Sequence, residues 1–80
     1  MTTLAQEIKT QQAKNLMKLI DYFGSQTRTA AYLDTSPQVI QGWLLRGRIS
    51  AKMAIKAELV TGRYLTKEQL RPDVMTWESN

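Results

Sequence analysis

Eighty residues, 42% of them apolar, make one small domain with a modest core: too apolar for a disordered chain and too short for a second core. There is no cysteine and no histidine, which removes disulfides, thiolate metal sites and the side chain most used in general base catalysis. The net charge is +4, and seven scattered carboxylates are a poor basis for catalysis, so a non-enzyme without metal or cofactor is expected.

Leu16, Leu19, Ile20 and Phe23 fall at i, i+3, i+4 and i+7, which predicts a helix over 13–23 with Gly24 as its left-handed end. Leu4 and Ile8 can extend it upstream. Gln11 and Gln12 interrupt the stripe, however, so residues 1–12 are expected to form a projecting or frayed arm. Ser25 is a candidate cap for a second helix over 26–33, with Ala30 and Leu33 facing inward.

Asp34-Thr35-Ser36-Pro37 then ends one helix and begins another. Asp34 tolerates a left-handed backbone, Ser36 can cap, and Pro37 suits a first helical position whose N–H is unpaired anyway. The third helix, 37–46, turns Ile40, Trp43 and Leu44 toward the core. Gln38 and Gly42 lie opposite, Gln41 and Arg46 flank them, and Leu45 also points outward. Gly47 closes the helix.

Ser50 caps a fourth helix over 51–61, rich in good helix formers. Thr66 and Gln69 have the spacing of a capping box for a one-turn helix ending near Leu70, which Arg71-Pro72-Asp73 stops. The tail from 74 to 80 is expected to be mobile unless Trp77 docks.

Two short helices joined by a turn of three to four residues form a helix-turn-helix, here over about 26–46. Ala30 is small where the second helix must cross closely, Asp34 sits at the turn, and Ile40 and Trp43 lock the second helix from below. Charge gathers on the same stretch. Residues 26–57 hold Arg28, Arg46, Arg48, Lys52 and Lys56 against Asp34 alone, while the rest of the chain carries six charges of each sign. Such a local excess suits a polyanion; a solvated basic face is the alternative.

At the stretches Phe23 to Leu33, Ser36 to Trp43 and Arg46-Gly47-Arg48-Ile49, with Thr61-Gly62 and Leu70-Arg71-Pro72-Asp73 beyond, the chain resembles a known family. It is similar to the Cro-type phage repressors and the related YdaS-like antitoxins over about residues 16–74. It departs from their pattern at Asp34, where glycine is usual, and at Thr35, where a β-branched apolar residue is usual. The resemblance implies an all-α fold, a compact bundle of about five short helices with a lambda-repressor-like DNA-binding domain.

It also implies a sequence-specific regulator of transcription, a Cro-like repressor of duplex DNA; because one recognition helix covers too few base pairs for high specificity, a homodimer on a palindromic operator is expected. Gln38 and Gln41 would read base edges in the major groove, with Ser36 and Pro37 at the groove edge and Gly42 allowing a close backbone approach. Gln26 and Thr27 would bond a phosphate, and Arg28, Arg46, Arg48 and Lys52 would neutralise others. Tyr64, Leu65, Val74 and Trp77 are candidates for a dimer surface. The competing function is an antitoxin-like module that binds and masks a partner protein. No signal peptide and no run of ~18 apolar residues is evident. A cytoplasmic protein of a bacterial cell, phage- or prophage-encoded, with no membrane partner is therefore expected.

Overall fold

In a computed structural model, which describes residues 3–74, 76 and 77, helix α1 starts at Leu4 and runs unbroken to Phe23. The expected arm is therefore helical from Leu4 onward, while residues 1 and 2 lie outside the described part. A capping box starts the helix. The Gln6 N–H donates to Thr3 Oγ1 at 3.1 Å, and the Thr3 N–H donates to Gln6 Oε1 at 2.9 Å.

The break in the apolar stripe is a packing feature of another kind. Gln12 and Asn15 are buried, and each has a distant partner. Gln12 Nε2 donates to Asp73 Oδ1 at 2.7 Å, and Asn15 Nδ2 donates to the Gln69 carbonyl at 2.8 Å. Satisfied in this way, a buried amide stabilises by about 0.5–1.5 kcal/mol; unsatisfied, it would cost more than that.

Gly24, at φ +103°, ends α1, and α2 spans Gln26–Tyr32 with Ser25 Oγ accepting the Arg28 N–H. Asp34 takes φ +55° at the following turn, where the Thr35 N–H donates to the Ala30 carbonyl at 2.8 Å. The expected left-handed aspartate is there. Helix α3 spans Pro37–Arg46 behind the Ser36 cap and ends at Gly47, φ +79°. Helix α4 spans Ala51–Val60 behind Ser50, and α5 spans Lys67–Leu70 behind the Thr66–Gln69 capping box.

The described residues contain five helices and no strand, an all-α fold. Helix α2 packs on both α1 and α3, and α5 packs on both α1 and α4. The core between them is built from Leu16, Leu19, Ile20 and Phe23 of α1, Ala30 of α2, Ile40 and Trp43 of α3, and Ala54 and Ala57 of α4. Leu33, Ile49, Leu65 and Leu70 complete it from the connections and α5.

Leu65 is 3% exposed, so it belongs to the core and is withdrawn from the candidate dimer surface. Trp77 docks on its own chain: its indole N–H donates to the Arg71 carbonyl at 2.9 Å, and the Lys67 ammonium lies 5.5 Å from the ring centre. The expected mobility of the tail otherwise concerns Met75 and residues 78–80, which lie outside the described residues.

Asp73 joins the two ends of the fold. Arg71 grips it with Nε on one carboxylate oxygen and Nη2 on the other, both at 2.8 Å, and reaches the Ile49 carbonyl through Nη1 at 3.1 Å. These hydrogen bonds from Arg71 hold the Asp73 carboxyl below the usual carboxylate range, against the opposing effect of burial. A depressed folded pKa stabilises the fold above the unfolded value of about 3.9, and that stability is lost as the pH falls through the lower, folded value. Thermal melts at pH below about 4 should therefore show a smaller acid-induced loss for Asp73→Asn than for the parent chain. Parallel acid profiles for the two would remove Asp73 from acid stability.

Candidate nucleic-acid interface

Helix α3 has two opposite faces set by one period. Ile40 and Trp43 are buried, and Leu44 packs partly against the same core. On the other side, Gln38, Gln41, Gly42 and Leu45 recur at i, i+3, i+4 and i+7, with both glutamines exposed and Leu45 82% exposed. This stripe follows from the caps. Ser36 Oγ accepts the Val39 N–H at 3.3 Å and fixes the helix start. Pro37 lies exposed at the first turn, and Ser36 is half-buried with its oxygen committed to the cap.

Gly42 has a visible neighbour. A methyl group there would come within 3.2 Å of Arg46 Nη1, because the guanidinium folds back one turn over the glycine. That guanidinium is the far end of a flexible side chain and can swing away. Gly42→Ala should thus leave the fold intact and stabilise it by up to about 1 kcal/mol through helix propensity. If the outward face meets a ligand closely, the same variant should bind it more weakly. A chemical melt and a binding titration of that one variant separate the two effects, and unchanged binding would free Gly42 of any contact.

The basic residues do not form one patch. Arg46 and Arg48 line a cleft of about 370 Å³ at the C-terminal end of α3, together with Lys9, Gln12 and Gly47. Lys52 and Lys56 line another hollow, of about 460 Å³, beside Asp34 and Thr35 of the α2–α3 turn. Cations therefore flank both ends of α3. Arg28 is placed elsewhere: it lies over Gly24 and lines a hollow with Tyr22, Phe23, Tyr32 and Val60. Gln26 and Thr27 are exposed at the first turn of α2.

Arg48 is partly committed, with Nη1 3.7 Å from Asp73 Oδ2. Its position 25 residues from Asp73 hides that pairing from the sequence. Two residues of these hollows, Lys9 and Lys56, were not among the sequence candidates. Lys56 had a signal, since it sits in the basic stretch, whereas Lys9 is brought in only by the course of α1. Tyr64, another dimer-surface candidate, is 60% exposed and stacks on Tyr22 with ring centres 5.1 Å apart. Val74 is half-buried.

No helix among the described residues is long and apolar enough to cross a membrane. No curated protein and no solved structure matches the chain. A family model described as Bacterial toxin YdaS matches residues 16–79, from the middle of α1 through the helix-turn-helix and beyond α5. This kinship fits a small regulatory protein, and it is the family to which the sequence motifs bear their resemblance. The chain belongs to the bacterial toxin YdaS family.

Proposed function

We propose that this small regulatory protein binds duplex DNA sequence-specifically, as a Cro-like repressor, with α3 in the major groove. The observation that carries the reading is the exposed stripe Gln38–Gln41–Gly42–Leu45 on a helix whose opposite side is locked by Ile40 and Trp43. A glutamine amide can bond adenine N6 and N7 together, and an exposed leucine suits a thymine methyl. Arg46 and Arg48 at one end of α3, and Lys52 at the other, suit backbone phosphates on either side of the groove.

One recognition helix covers few base pairs, so a homodimer on a palindromic operator, with half-sites about 34 Å apart, is the expected arrangement. The test is selection of bound fragments from a random duplex pool, followed by titration of the winner against salt. Enrichment of a palindromic sequence, with log K falling by about 0.9 per phosphate contact for each unit of log salt, supports the reading. No enrichment and no salt dependence would sink it.

The description of the family as a toxin favours a second reading, a module that acts by binding another protein. The exposed aromatic rings of Tyr22, Tyr32 and Tyr64 are the surface that supports it. A 1:1 protein complex that survives high salt, in a chain indifferent to DNA, would favour this reading over the first.

A further inference from the structure

We infer that the N-terminal half of α1 carries a backbone contact of its own: Lys9, together with Arg46 and Arg48, forms a cleft that takes a phosphodiester of duplex DNA. The inference rests on the DNA-binding reading above and extends the footprint beyond the helix-turn-helix. Lys9 lies upstream of the stretch matched by the family model, residues 16–79.

Three of the five residues lining the cleft are cationic, Lys9 from α1 and Arg46 and Arg48 from the end of α3, two segments far apart in the chain. Among the described residues, neither Lys9 nor Arg46 forms an ion pair. The carboxylate at hand is Asp73, and Arg71 already holds both its oxygens at 2.8 Å, leaving Arg48 a looser 3.7 Å. Three cationic residues thus line one hollow, and the nearby carboxylate is largely committed to Arg71. Like charges so placed repel; the C-terminal end of α3 favours Arg46 and Arg48 and offsets that only in part, so an entering anion would relieve the rest.

The walls are fixed. Gln12 is buried and donates to Asp73, tying α1 to the segment after α5. The N–H groups of Gly47 and Arg48 both donate to the Trp43 carbonyl, at 2.7 and 3.0 Å, so the backbone donors of these two residues are already used. Side-chain charge alone would hold the anion, which suits a phosphodiester contacted without regard to sequence. The choice of phosphodiester follows from position. The Arg46 guanidinium lies over Gly42, so the cleft adjoins the outward stripe of α3. With that stripe in a major groove, a strand of backbone runs past its end.

The experiment is fluorescence anisotropy of a labelled random-sequence duplex, titrated at several salt concentrations with the full chain and four variants. Lys9→Ala should make the slope of log K against log salt shallower by about 0.9, equivalent to roughly eightfold weaker binding at 0.1 M salt. Lys9→Arg should keep the parent slope. Lys14→Ala and Lys18→Ala, on a separate groove of α1, should leave the slope unchanged. Lys9 is exposed, so the melting of each variant should match the parent. A parent-like slope for Lys9→Ala, or an equal loss in the Lys14 and Lys18 variants, overturns the cleft while the DNA-binding reading stands. A parent chain that binds no duplex at low salt overturns both.

Discussion

Trp43→Ala should destabilise the fold by about 3–5 kcal/mol, the usual cost of removing a large ring from a packed core. Trp43 is 1% exposed and belongs to the core cluster that joins α1, α2, α3 and α4. A domain of this size has a total stability of about 4–12 kcal/mol, so the variant should lose about a quarter or more of it and unfold outright where the parent lies at the low end of that range. Far-UV circular dichroism with a urea melt reads the effect directly. The functional consequence comes from helix geometry. Trp43 and Ile40 set the phase of α3, and that phase is what turns Gln38 and Gln41 outward. A variant that melts like the parent would mean that Trp43 is on the surface, and the proposed reading face would be lost with it.

Helix boundaries were legible in this chain because its caps are chemically explicit. Ser25, Ser36, Ser50 and Thr66 each stand one residue before a helix and accept an N–H three residues on. Gly24, Asp34 and Gly47 stand where the backbone turns left-handed. Each of these signals is local, so no tertiary information was needed to read it. Thr3 and Gln6 have the same capping-box spacing as Thr66 and Gln69, so the start of α1 is also a local signal in the sequence.

Other features were not local. Gln12 and Asn15 look like breaks in an apolar stripe because periodicity counts only apolar residues, and their partners lie 61 and 54 positions away. Leu65, in a connection, carries no periodic signal, and only the tertiary fold buries it in the core. The outward stripe of α3 follows from its period alone, and Gln38, Gln41 and Leu45 are exposed as that period requires. The grouping of Arg46 and Arg48 with Lys9, and of Arg28 with an aromatic cluster, depends on how α1 lies across the bundle. Nothing in the spacing of the charges encodes that.

Gln38→Ala and Gln41→Ala should each weaken binding to a selected operator by about 1–3 kcal/mol, while binding to random duplex stays nearly unchanged. Both side chains are exposed and share the outward stripe of α3. Neither takes part in a hydrogen bond among the described residues, so alanine removes no hydrogen bond within the fold. Alanine is also the better helix former, so neither variant should melt below the parent. This separates recognition from stability more cleanly than Trp43 can. A bidentate amide on one adenine loses two hydrogen bonds at once when truncated, and the loss should be confined to operators that carry that base. Replacing the contacted base pair in the operator should weaken the parent chain by a similar amount and leave the corresponding alanine variant almost indifferent. The measurement is a double cycle of two proteins on two duplexes at one salt concentration. Equal losses on operator and random DNA would take both glutamines out of base readout, leaving α3 in contact with the backbone alone.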